Sequence, residues 1–99
     1  MKLNLDEIYT FKMSSGEEIV ARVRSIAEDH FCISEPVSVA PSAQGMGLIP
    51  ALFTATPGTE ITVNNRSVAY FGLTDTTVKN KYIEATTGIR VPEKKLVLG

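Results

Sequence analysis

The chain has 99 residues, 43% of them apolar and 21% charged, with ten Lys plus Arg against eleven Asp plus Glu. That length fits one small domain over 1–99, and the near-zero net charge excludes a binder held to nucleic acid by excess positive charge alone. One cysteine, Cys32, and one histidine, His30, exclude an internal disulfide, a cysteine zinc cluster and a two-histidine metal site.

No run approaches the roughly 20 apolar residues of a membrane helix. Residues 1–7, Met-Lys-Leu-Asn-Leu-Asp-Glu, carry acids where a signal peptide needs an apolar stretch. The expectation is a cytoplasmic chain without a membrane partner.

In chain order, residues 3–8 read as a short turn or an extended lead-in. Tyr9–Met13 is a strand, and Ser14-Ser15-Gly16 a turn. From Glu17 to Ile26 the period is two: Ile19, Ala21 and Val23 share one face, and Val20, Arg22 and Arg24 the other. Ala27–His30 is a polar break. Phe31–Ala40 resumes the alternation, with Phe31, Ile33, Val37 and Val39 on one side. Glu35 falls among them, an anomaly for a buried face. These runs predict an antiparallel meander.

Pro41–Gly47 has no charge and two glycines, and reads as a mobile loop. Leu48–Thr56 returns to strand character, with Ile49, Ala51, Phe53 and Ala55 alternating; Pro50 belongs at a strand start or edge. Pro57-Gly58 makes a turn, and Glu60–Val63 continues the strand. Asn64-Asn65 marks a hairpin, and Ser67–Leu73 is the last strand.

The period then changes. Asp75 is placed to cap a helix over about 76–87, with Val78, Tyr82 and Ala85 on one stripe. Gly88 suits the position just past the helix end, and Pro92 opposes continuation. The tail, 89–99, ends in apolar residues expected to dock on the domain or on a neighbour.

No constellation for catalysis stands out. The acid pairs Asp6-Glu7, Glu17-Glu18 and Glu28-Asp29 lie at turns or strand ends, where adjacent residues point apart, and read as solvated charge. His30 and Cys32 face one way on a strand but have no further ligand or orienting partner. The loop Gln44-Gly45-Met46-Gly47 lacks the Lys-Ser/Thr ending of a phosphate loop. No enzyme activity, cofactor or metal is therefore expected. For nucleic acid, Arg22, Arg24 and Arg66 are the candidate phosphate contacts, Phe31, Tyr70 and Phe71 the candidate stacking rings, and His30 a further candidate binding residue. A solvated strand face and a core position are the competing readings of the arginines and the aromatics.

The stretch Phe11–Val39 resembles the first motif of the Sm-like proteins, the family of LSm proteins and Hfq, in which a glycine turn is followed by an apolar strand. Gly16 is the turn, Ala21 the small residue, Val23 the large one and Ile26 the apolar residue closing the strand. Val68-Ala69-Tyr70-Phe71-Gly72-Leu73 resembles the second motif, a short strand ending in glycine. The likeness is closest to small Sm-like proteins of cyanophages, and residues 82–89 share in it. It implies a mainly β fold: a small five-stranded, strongly bent antiparallel barrel over about 9–73, here followed by the C-terminal helix. Where the family holds RNA bases with Asp, Asn and Arg, this chain has Ala27, Phe31 and Phe71.

The resemblance also implies self-assembly, the fourth barrel strand of one copy pairing with the fifth of the next. The expected partner is the chain itself, in a closed ring of about five to seven copies, with five favoured. Candidate interface residues are Ile49, Phe53, Ile61, Val63, Val68, Tyr70 and Phe71. Two ligand classes follow for such a ring: single-stranded RNA, or phage and host proteins that a structural or assembly protein would contact.

Overall fold

Alternation of apolar and polar residues produces the strands, and its loss after Leu73 produces the helix. The structure, a computed structural model, describes residues 1–43 and 45–96, and the side chains of all of these except Ser42 and residues 88–96. The strands are β1 (Ile8–Met13), β2 (Glu18–Ile26), β3 (His30–Ser42), β4 (Gly45–Pro50), β5 (Ile61–Asn64) and β6 (Val68–Leu73), followed by α1 (Thr76–Leu96). A 3-10 turn, Asn65–Ser67, joins β5 to β6. The fold is mainly β: one antiparallel sheet of six strands with a C-terminal helix.

The sheet order is β4-β3-β2-β1-β6, and β5 also pairs with β3. The long strand β3 makes this possible. One of its edges takes β2; along the other, Val37–Ser42 pairs with β4 and His30–Ile33 pairs with β5. The expected meander is present from β1 to β4. The expected hairpin at Asn64-Asn65 is not. The Asn64 side chain accepts from the Arg66 amide at 3.0 Å, which caps a tight turn and sends β6 to β1 instead of back along β5.

One cluster of buried residues gathers Tyr9, Phe11, Ile19, Ala21, Val23, Phe31, Ile33 and Val63. Val68 and Phe71 of β6 and Ile61 of β5 pack against it. Both ends of the sheet thus contribute to one core, and the sheet curls over it. The sheet is not closed: among the described residues β5 and β6 do not pair with each other. The five-stranded, strongly bent barrel implied by the resemblance is here an antiparallel sheet of six strands that is not closed.

A second cluster, Ile8, Val20, Val37 and Tyr82, with Val39, Leu48 and Val78 packed on it, lies on the opposite face and seats α1. The helix begins as expected. The Asp75 carboxylate accepts from the amides of Thr77 at 3.0 Å and Val78 at 3.3 Å, two of the donors that the first turn leaves free. Val78, Tyr82 and Ala85 face inward, and Thr86 joins them by donating its hydroxyl to the Tyr82 carbonyl at 2.8 Å. The helix does not stop at Gly88. It continues through Gly88 and Pro92 to Leu96, because both residues only weaken an established helix. Residues 89–96 of the expected tail are therefore helical, and 97–99 lie outside the described residues.

Three further local expectations are corrected. Val37 and Val39 do not share a face with Phe31 and Ile33. Val20 opposes Val37 and Arg22 opposes Ser34, so Ala21 faces both Glu35 and Pro36. That extra residue is a β-bulge, and it inverts the alternation beyond it. Glu35 takes φ 50° to make the bulge. The predicted loop over Pro41–Gly47 is instead a hairpin, with Ser42 opposite Gly45; Gly45 at φ 110° supplies the conformation the turn needs. The strand expected to reach Thr56 ends at Pro50, and 51–60 is irregular. Pro50 lacks the amide donor that would continue the ladder, and the Ala51 amide turns to the Pro36 carbonyl at 2.9 Å.

Candidate functional site

Two regions bring together the residues singled out above. The first is the pair of sheet edges. Among the described residues, no strand covers the outer edge of β6 or the outer edges of β4 and β5. The apolar side chains beside those edges divide into two sets. Val63 is buried, and Ile61, Val68 and Phe71 pack against the core from half-buried positions. Ile49, Phe53 and Tyr70 are open, with Phe53 79% and Tyr70 67% exposed. Leu52 and Leu73 are also open. Sequence alternation does not single these two out, because Leu52 lies in an irregular loop and Leu73 follows the β6 glycine.

The same end of β5 carries a polar clamp. The Asn65 amide donates to the Asp29 carbonyl at 3.1 Å, and the Asn65 side-chain amide donates to the Glu28 carbonyl at 3.3 Å. The turn between β2 and β3 is thereby tied to the 3-10 turn that holds Arg66. His30, the first residue of β3, adjoins that turn, its Nδ1 2.8 Å from Asp29 Oδ1. The side-chain hydrogen bond with His30, helped by a backbone hydrogen bond and the charge of the imidazole, holds the Asp29 carboxyl below its ordinary range. His30 and Arg66 are both exposed. Phe31 is not: it is 1% exposed, with its ring stacked on Phe11 at 5.1 Å between centroids. Phe31 is a core residue and presents no free face to a base. Phe71 meets Tyr9 edge-on at 6.0 Å.

The second region lies on the helix face. Arg22 and Arg24 are not free stripe residues. Arg22 Nη1 donates to the Asp6 carbonyl at 2.8 Å, and Arg24 Nη1 lies 3.6 Å from Asp6 Oδ1. Asp6 adopts φ 65° to offer both groups. Both arginines line a concavity of about 280 Å³ together with Ser34, Glu35, Glu60 and Thr86. Glu60 and Thr86 are contributors the sequence does not mark; Glu35 is marked by its intrusion into an apolar alternation.

Among the described residues no cluster of three or more His, Cys, Asp or Glu side chains forms, and no helix is long and apolar enough to cross a membrane. Compared with known proteins, the chain matches no family model and no curated protein significantly.

Proposed function

We propose that the chain is a ring-forming, Sm-like binding protein whose copies join edge to edge. The observation that carries this reading is the pair of edges that, among the described residues, no strand covers: β6 at one end of the sheet, β4 and β5 at the other. Backbone amides and carbonyls left on such edges favour pairing with another strand. The two edges differ in sequence, so the contact that satisfies both is head to tail, and a head-to-tail contact closes into a ring when its rotation allows. The open side chains of Ile49, Tyr70 and Leu73 lie on the edge strands, and that of Phe53 in the segment after β4, and they supply apolar area for such a contact to bury. The likeness of the glycine-turn and β6 motifs to the Sm-like family points the same way.

For the ligand, single-stranded RNA is supported by His30 and Arg66 at one end of the sheet and by the open ring of Tyr70. A second reading, a ring that contacts other proteins as an assembly component, is favoured by the exposed apolar pair Leu52 and Phe53 in the irregular loop. Light scattering combined with the ratio of absorbance at 260 and 280 nm tests both parts. A multimer carrying nucleic acid supports the first reading, and a multimer free of it that also fails to bind uridine- or adenine-rich oligomers at low salt supports the second. A monomer overturns the proposal.

A further inference from the structure

We infer that the outer edge of β4 binds the same edge of a second copy, the two strands running antiparallel across a two-fold axis at Gly47. Among the described residues no strand covers this edge. Backbone alternation fixes which groups it offers. The Ala51 amide donates to the Pro36 carbonyl, so Pro36 turns its carbonyl toward the β4 side, and alternation makes Ser38 and Ala40 do the same. Their partners across the ladder, Ile49 and Gly47, are therefore the residues that exchange hydrogen bonds with β3. Met46 and Leu48 point amide and carbonyl outward. The prolines agree: Pro41 and Pro50 have no amide, and both fall in the pairs that exchange none, Pro41 with Met46 and Val37 with Pro50.

This pattern is its own complement. Setting Met46 opposite Leu48 of a second copy uses every outward amide and carbonyl of both residues and puts Gly47 opposite Gly47. It also lays the exposed Ile49 side chain over Gly45 and brings the exposed Met46 side chain beside Leu48. A two-fold axis sets like against like, so a charge near it repels its own copy. Residues 36–59 hold no Asp, Glu, Lys, Arg or His, in a chain that is 21% charged. Sheet edges are commonly guarded against self-pairing by a lysine or a bulge. β4 has neither, and it pairs with β3 in unbroken register, unlike the ladders of β1 with β6 and β2 with β3. β5, the other edge at that end of the sheet, lies between Glu60 and Arg66. A head-to-tail contact from β6 to β5 leaves the β4 edge for this second contact, which does not rest on the ring: single copies join as dimers, and rings join to rings. A strand of six residues is a small contact, so the pairing is reversible and grows with concentration.

Oxidative cross-linking of the full chain carrying Cys32→Ser and Gly47→Cys tests the contact. A side chain fits at Gly47, where a Cβ meets the Ala40 carbonyl oxygen at 3.7 Å, an ordinary contact. In the pairing the two Gly47 Cα atoms stand about 4.5 Å apart, within reach of a disulfide. A covalent dimer is expected on a non-reducing gel, its yield rising with concentration and well above that of Thr54→Cys, an exposed position off the edge. Adding Met46→Pro removes an outward amide and no bond to β3, and is expected to lower the yield about tenfold. Adding Met46→Lys sets ammonium groups on diagonal positions of the paired strands and is expected to lower it as well. No dimer above the Thr54→Cys level overturns the inference and leaves the edge to a strand of another protein. A dimer that both Met46 variants leave unchanged, with their circular dichroism intact, overturns it too. The gel does not read ring size, so a chain that forms no ring yet gives the Gly47→Cys dimer sinks the ring alone.

Discussion

The phenol of Tyr82 donates a 2.9 Å hydrogen bond to the carbonyl of Ser34, 48 residues earlier in the chain. Ser34 is the last residue of β3 before the bulge, and Tyr82 is, among the described side chains of α1, the one buried deepest on the sheet. This one contact sets the helix against the point where β3 changes face. Tyr82→Phe keeps the ring and removes the donor, and is expected to cost about 1 kcal/mol. Tyr82→Ala also opens a cavity among Ile8, Val20 and Val37, and is expected to cost about 3–5 kcal/mol. Urea unfolding followed by far-ultraviolet circular dichroism measures both.

Asp6 works through its backbone more than through its charge. Its φ of 65° suits glycine better than alanine, and the carbonyl that Arg22 uses survives any substitution. Asp6→Gly is therefore expected to stay within about 0.5 kcal/mol of the parent, because the exposed pairing with Arg24 contributes little. Asp6→Ala is expected to lose about 1 kcal/mol. Equal losses in the two variants, measured by thermal unfolding, would show that the carboxylate and not the backbone matters.

The sign of the Asp29 effect follows from its direction. A carboxyl held below its ordinary range in the folded chain adds stability that is present above its unfolded pKa and lost as pH falls through the folded one. His30→Ala removes the largest cause and should return the Asp29 titration, followed by carboxyl-carbon NMR, to the ordinary carboxylate range. A midpoint that does not move would assign the shift to the backbone hydrogen bond instead.

How far the residues announce the fold depends on the scale of the signal. The alternation Ile19, Ala21, Val23 is readable because a strand buries one face, and the Asp75 cap because its carboxylate has one geometric use. The bulge at Glu35 is visible only as an intruder in an apolar run; the run does not say that Val37 thereby moves to the helix face. Gly88 and Pro92 resemble a stop, yet two unfavourable residues do not end a helix whose first turns are already docked. Phe31 and Phe71 resemble stacking platforms because aromatic residues suit both a core and a ligand; only packing distinguishes the two. The concavity is the least legible feature, since Arg22, Glu35, Glu60 and Thr86 are far apart in sequence and line one hollow only when α1 settles on the sheet.

Assembly through the uncovered edges is the central claim, and sedimentation velocity of the full chain, run beside Leu73→Lys and Tyr70→Lys, tests it most directly. Leu73 and Tyr70 are 69% and 67% exposed, so neither change disturbs the fold of one copy. The account predicts a single species at about five to seven times 10.8 kDa, which both lysine variants shift toward the single-copy mass. A parent chain that sediments as one 10.8 kDa copy at every concentration would contradict it.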